Sequence, residues 1–148
     1  MRALEHSLPL KLLMAREAVM ERFRPHLQAA GVTEQQWRVL RALCETDEAE
    51  AGELAEAICL KMPSLSRILA DLSGEGLINR RNGVEDRRLR LVSITAKGRA
   101  LVETMARQSE AEYAQIQSAV GAEAYAALMA DLQAAIDKLN SLSQAAPD

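Results

Sequence analysis

Between Pro63 and Ile94 the hydrophobic period changes, and that change limits the folds open to this chain. Leu65, Ile68, Leu69 and Leu72 fall at i, i+3, i+4 and i+7, one narrow face of a helix over Pro63–Ser73. Ser64, Ser66, Arg67, Ala70 and Asp71 take the opposite face. Gly74 and Gly76 end the helix. Leu77 to Arg81 then reads as a strand, Asn82-Gly83 as a turn signal, and Leu89 to Ile94 as a second, alternating strand. Glu85, Asp86, Arg87 and Arg88 lie between them, so a short helix gives way to a hairpin with a charged tip.

The flanking segments are helical. Leu8–Ala30 carries Leu13, Met20, Phe23 and Leu27 at helical spacing, with Pro9 at its start, Gly31 at its end and Pro25 able to kink or shorten it. Thr33 and Gln36 form a capping box that opens a second helix, with Trp37, Leu40, Leu43 and Cys44 on one face. The acidic stretch Glu45–Glu50 reads as a loop, and Gly52–Ile58 as a short third helix. Cys59-Leu60-Lys61-Met62 is a tight turn into the helix at Pro63. Thr95-Ala96-Lys97-Gly98 caps a long fifth helix with Leu101, Met105 and Ile116 at core positions. Gly121 breaks it, and a sixth helix carries Tyr125, Leu128, Leu132, Ile136, Leu139 and Leu142. The polar tail Ser143–Asp148 is expected to fray. The expected fold is mainly α with a small β-hairpin wing: a winged helix-turn-helix over residues 33–98 within a single 148-residue chain.

Composition agrees with a folded helical domain: 49% of residues are apolar, 3% aromatic, and Ala, Leu and Glu abound. No apolar run is long enough for a membrane span, and no signal peptide is evident, so the expected compartment is the cytoplasm. Net charge is −3, but its distribution is uneven. Lys61 to Arg99 holds nine basic residues against four acids, a net +5, which leaves −8 for the rest. A basic patch on an acidic body suits a polyanion, although a solvated surface can look the same.

A helix-turn-helix favours duplex DNA, with a solvated helix face and a hairpin tip of local ion pairs as the competing reading. The second helix of such a unit enters the major groove, so its outer face should be small, polar and partly basic. Ser64, Ser66 and Arg67 meet that need; Ser64 could equally cap its own helix. At the hairpin tip, Arg87 and Arg88 can reach a minor groove or straddle phosphates, with Asp86 pinning one guanidinium.

Two runs are similar to the MarR family of bacterial regulators: Leu72-Ser73-Gly74-Glu75-Gly76-Leu77-Ile78-Asn79-Arg80, and Asp86-Arg87-Arg88-Leu89-Arg90-Leu91-Val92-Ser93-Ile94-Thr95-Ala96-Lys97-Gly98. The resemblance covers nearly the whole chain. It implies a dimer knotted together by helices in residues 1–32 and 99–148, and binding to a near-palindromic operator. It places Pro63, Ser64, Ser66 and Arg67 in the recognition helix, and Asp86, Arg87 and Arg88 in the wing; Lys61, Arg80 and Arg90, from the same basic stretch, are further expected DNA contacts. Ser7-Leu8-Pro9-Leu10, Leu13-Met14-Ala15-Arg16-Glu17, Phe23-Arg24-Pro25 and Thr33 to Leu40 further resemble the homoprotocatechuate degradation operon repressor subgroup. That implies repression of an aromatic-acid catabolic operon, released by an aromatic acid; a regulator of the same family answering to another small phenolic ligand, or to redox change, is the alternative.

The resemblance also implies a ligand cleft between the dimer body and the DNA-binding lobe. Arg16 would hold a carboxylate there, Trp37 would supply an aromatic wall and Arg38 a second donor. A structural salt bridge for Arg16 and ordinary core packing for Trp37 are the competing readings. Cys44 and Cys59 sit at apolar positions and read as small core residues, and the Met residues as core filler. His6 and His26 suggest neither metal binding nor catalysis, and no cofactor is expected. A small enzyme or thiol switch, or a helical interaction protein without DNA, are the other function classes. The first lacks a clustered nucleophile, base and acid, and the second has no need of an Asp86-Arg87-Arg88 wing.

Overall fold

A computed structural model describes residues 3–83 and 89–144, which divide into two compact units after Ser109. In the first unit a 3-10 turn, Leu4–His6, precedes α1 (Leu8–Ala29), α2 (Glu34–Thr46), β1 (Glu48–Glu50), α3 (Ala51–Ala57), α4 (Met62–Gly74), β2 (Ile78–Asn82) and β3 (Arg90–Ile94). Helix α5 (Ala96–Val120) begins in the first unit and ends in the second, which also holds α6 (Ala122–Gln144). No described helix is long and apolar enough to cross a membrane.

The first unit is built around α2 and α4. The capping box at Thr33 is complete: Thr33 Oγ1 accepts from the Gln36 amide at 3.1 Å, and Gln36 Oε1 accepts from the Thr33 amide at 2.9 Å. Val39, Leu40 and Leu43 of α2 meet Leu65, Ile68, Leu69 and Leu72 of α4, with Leu54, Ile78 and Val92 closing the core. The four apolar residues of α4 are 0–7% exposed, and each contributes about 1.5–3 kcal/mol by burial. Helix α1 runs through Pro25 to Ala29 without being shortened. Its lower turns bury Phe23 and Leu27, whereas Leu13, expected in the same stripe, is exposed because no described element covers that end.

The sheet differs from the expected hairpin. Strands β2 and β3 pair antiparallel from Ile78 opposite Ile94 to Asn82 opposite Arg90. Asn82 is therefore the last strand residue and not part of a turn, and the Gly83 amide continues the pairing with a bond to the Leu89 carbonyl at 2.9 Å. The acidic stretch is not wholly a loop: α2 absorbs Glu45 and Thr46, and β1 adds to the other edge of β3 with Glu48 opposite Ser93. Ladder hydrogen bonds and the partly buried Ala49 outweigh the low strand propensity of the two glutamates.

Helix α5 starts on the loop that follows α4. Thr95 Oγ1 donates to the carbonyls of Gly76 (2.8 Å) and Leu77 (3.0 Å) and accepts from the Gly98 amide (3.1 Å). Lys97 Nζ donates to the Glu75 carbonyl at 2.7 Å. Of the expected core positions in α5, Met105 is buried and Leu101 and Ile116 are half-buried.

In the second unit Gly121, at φ 92°, separates α5 from α6. Leu128, Ile136, Leu139 and Leu142 lie exposed along α6, while Tyr125 and Leu132 are half-buried. Two further expectations need correction. Cys59 is exposed, because φ 54° carries it out of the helical path, whereas Cys44 is half-buried and packs against the core as expected. Met14, Met62 and Met129 are exposed, so only some methionines fill the core.

Candidate nucleic-acid interface

Helix α3, the turn through Cys59 and helix α4 form a helix-turn-helix. The turn is held from inside: Leu60 donates its amide to the Ala55 carbonyl at 2.9 Å, and Cys59 donates to Glu56 at 3.1 Å. Arg38 Nη1 of α2 donates to the carbonyl of Ile58, the residue that ends α3, at 2.8 Å. These bonds set the direction in which α4 leaves the turn.

The start of α4 is open to a ligand. Lys61 is its N-cap in extended conformation, no side chain caps it, and Pro63 lies in its first turn. Free amides and the helix dipole make such a terminus attractive to a phosphate. Ser64 does not cap the helix, and neither Ser64 nor Ser66 makes a side-chain hydrogen bond among the described residues. Lys61, Pro63, Ser64 and Arg67 are exposed, and Ser66 is half-buried at the edge of a groove.

That groove, about 520 Å³, runs between α4 and the hairpin. Met62, Ser66 and Ser73 line one side; Arg80, Arg81, Asn82 and Arg90 line the other. Arg80 and Asn82 share a face of β2 by the strand's alternation, and Arg81 between them borders the groove while its guanidinium is taken up by Glu48. Arg81 Nε and Nη2 bond Glu48 at 3.0 and 2.7 Å, which holds the Arg81 pKa above its ordinary value. Lys97 and Arg99 are also occupied, Arg99 by the Asp47 carboxylate and the Cys44 carbonyl. Lys61, Arg67, Arg80 and Arg90 make no ion pair among the described residues. Among the described residues of the Lys61–Arg99 stretch, the cations without an ion pair therefore lie around α4 and the groove. Asp86, Arg87 and Arg88, expected at the wing tip, lie outside the described residues.

The three residues expected at an effector site are placed differently. Arg16, on α1, bonds Glu17 at 2.6 Å and also Glu34, while Arg24 bonds Glu34 at 2.8 Å and Glu17 at 2.5 Å. The four form a closed ring joining α1 to the first turn of α2. Bonds from Arg24 hold the Glu17 pKa below the usual carboxylate range. For Glu34, burial would raise it, but bonds from Arg24 and Arg16 outweigh burial and lower it. Trp37 is half-buried one turn further along α2. The guanidinium of Arg41, which sequence reasoning passed over, lies over its ring at 5.8 Å from the centroid. The i, i+4 spacing was the signal for that contact. Arg38 is committed to the Ile58 carbonyl, and its Nε is buried without a hydrogen bond.

Helix, turn, exposed basic helix and basic hairpin define a winged helix-turn-helix DNA-binding protein. The chain belongs to the MarR family: residues 32–89 match the model described as "MarR family". It is 39% identical to the homoprotocatechuate degradative operon repressor of Escherichia coli over 117 residues, 79% of each chain. It is 36% identical to the HTH-type transcriptional regulator FarR of Neisseria gonorrhoeae, covering 91% of this chain and 94% of that one. Among solved structures, NadR in complex with 4-hydroxyphenylacetate superposes with a TM-score of 0.79 at 34% identity, over 92% of this chain and 96% of that one. The chain is a transcriptional regulator and not an enzyme.

Proposed function

We propose that this regulator is a cytoplasmic homodimeric repressor of an aromatic-acid catabolic operon, released from its operator by an aromatic carboxylate. The carrying observation is the basic surface around α4 that makes no ion pair among the described residues, joined to a wing groove edged by Arg80 and Arg90. In this reading Lys61, Pro63, Ser64, Ser66 and Arg67 engage the major groove and its phosphates. Arg80, Arg90, Asp86, Arg87 and Arg88 serve the wing. Residues 33–98 form the DNA-binding lobe, and residues 1–32 and 99–148 the dimerisation helices. Exposed Leu8, Leu12 and Met14 of α1, and separately Leu128, Met129 and Ile136 of α6, are the apolar surface a second copy would cover.

The effector class follows from the relatives. One is named for a homoprotocatechuate operon and another was solved with 4-hydroxyphenylacetate. In this reading Arg16 exchanges Glu17 and Glu34 for the ligand carboxylate, Trp37 supplies the wall, Arg38 gives up the Ile58 carbonyl to serve as second donor, and Arg41 joins them because its cation already stacks on Trp37. Ligand binding would favour a spacing of the two recognition helices that misfits half-sites about 34–36 Å apart. A coupling of about 1–3 kcal/mol is typical of such regulation.

The test is fluorescence-anisotropy binding to DNA upstream of its own gene, with and without hydroxylated phenylacetates. Tight binding released by such an acid, and weakened by Arg87→Ala and Arg88→Ala, supports the proposal. Tight binding that no aromatic acid disturbs discards the effector class. In calorimetry, acid affinity unchanged by Arg16→Ala would remove Arg16 as the anchor.

A further inference from the structure

The segment that follows α2 places two adjacent carboxylates on basic residues of two different elements. Asp47, at φ 61°, holds Arg99 of α5, and its carbonyl accepts the Ile94 amide at 3.2 Å. Glu48 opens β1 and holds Arg81 of β2 through both carboxylate oxygens. Strands β1 and β2 are not neighbours; each flanks β3. The pair therefore crosses the central strand diagonally, since Glu48 faces Ser93 and Arg81 faces Leu91. A guanidinium fork matched to a carboxylate fixes orientation as well as distance. The strand's period of two puts the neighbours Arg80 and Asn82 on the other face, and all three residues border the groove beside α4, with only Arg81 held by a carboxylate.

We infer that Arg81 is a positioning residue: its bond to Glu48 sets the β2–β3 hairpin against α4, so that Arg80 and Arg90 meet DNA phosphates in step with Arg67. The inference rests on α4 and the hairpin both contacting DNA. Charge alone makes the opposite prediction for Glu48. Removing a carboxylate near the interface should tighten binding to a polyanion. If Arg81 were itself a phosphate ligand, freeing it from Glu48 would also steepen the salt dependence, by about 0.9 in the log–log slope.

The experiment measures affinity of the full chain for the duplex upstream of its own gene across salt concentrations. The proteins are wild type, Glu48→Gln, Arg81→Gln, their double variant, and the exchange of Glu48→Arg with Arg81→Glu. Positioning predicts that Glu48→Gln weakens binding about tenfold with an unchanged slope, and that the double variant is no weaker than Arg81→Gln. The exchanged pair recovers most of the affinity, which separates positioning from misfolding of a single variant. Tighter or unchanged binding by Glu48→Gln overturns the inference. So does a slope lowered by about 0.9 in Arg81→Gln, which would make Arg81 a direct phosphate contact. Arg67→Ala and Arg80→Ala, run alongside, test the DNA-contact reading itself. If neither weakens binding, that reading fails and the inference falls with it, whereas failure of the Glu48 arm alone leaves the reading standing.

Discussion

A Cβ on Gly98 would lie 2.2 Å from the carbonyl oxygen of Leu77. That carbonyl already accepts the Thr95 amide at 3.1 Å and the Thr95 hydroxyl at 3.0 Å, so it is not free to withdraw. Gly98 is required for close approach of α5 to the loop that leads into β2, not for an unusual backbone angle. Gly98→Ala should destabilise the fold by about 1–3 kcal/mol, the usual range for overpacking a fixed site. Gly74→Ala is the control: nothing lies within 4 Å of its Cβ position, and a helical glycine replaced by alanine should gain up to about 1 kcal/mol. Urea denaturation of both variants measures the difference. Equal effects would mean that α5 does not seat against Leu77.

Arg38 joins α2 to the turn that aims α4. Its 2.8 Å bond to Ile58 satisfies a carbonyl at the end of α3, next to the left-handed Cys59. Arg38→Met keeps the apolar stem but removes the donor. A charged hydrogen bond of this kind contributes about 1.5–3 kcal/mol, so stability should fall by that order. Amide exchange should quicken first at Leu60, whose N–H bonds the Ala55 carbonyl inside the turn. Unchanged exchange at Leu60 in the variant would detach Arg38 from the control of the turn.

Much of this was legible in the sequence because the signals were local and periodic. The stripe Leu65–Ile68–Leu69–Leu72 located α4, and Thr33 with Gln36 located the start of α2, since each pattern carries its own bonding partner nearby. What escaped depended on distant partners. Glu48–Glu50 has poor strand propensity and becomes a strand only because β3, some forty residues on, offers an edge. Cys59 looks apolar in sequence, but a turn conformation exposes it. At the candidate effector site, sequence marked Arg16 and Trp37 as notable. It did not show that Glu17 and Glu34 occupy Arg16, or that Arg38 turns toward α3 while Arg41 covers the Trp37 ring.

The ring of Arg16, Glu17, Arg24 and Glu34 makes the contact between α1 and α2 acid-sensitive. Both glutamates have pKa values lowered from 4.5 in the folded chain. The unfolded chain therefore binds protons at higher pH than the folded one. Their contribution is fully present above the unfolded value and is lost as pH falls through the lowered, folded values. Stability measured from roughly pH 6 to 3 should show Glu34→Gln below wild type at the upper end, with the gap closing toward the lower end. A gap constant over the whole range would show that the ring does not couple folding to these protons.

The basic residues from Lys61 to Arg99 should separate into two groups by their salt dependence. Lys61, Arg67, Arg80 and Arg90 make no ion pair among the described residues and surround α4 and the groove. Each that meets a phosphate releases counterions, so its replacement by alanine should lower the log–log salt slope of DNA binding by about 0.9. Lys97 and Arg99 carry the same charge but are tied to the Glu75 carbonyl and to Asp47. Lys97→Ala and Arg99→Ala should leave that slope nearly unchanged, and their effect should appear in thermal stability. Anisotropy titrations at four or more salt concentrations give the slopes. If Arg99→Ala lowered the slope as far as Arg67→Ala, charge in bulk and not the placement of free cations around α4 would govern binding.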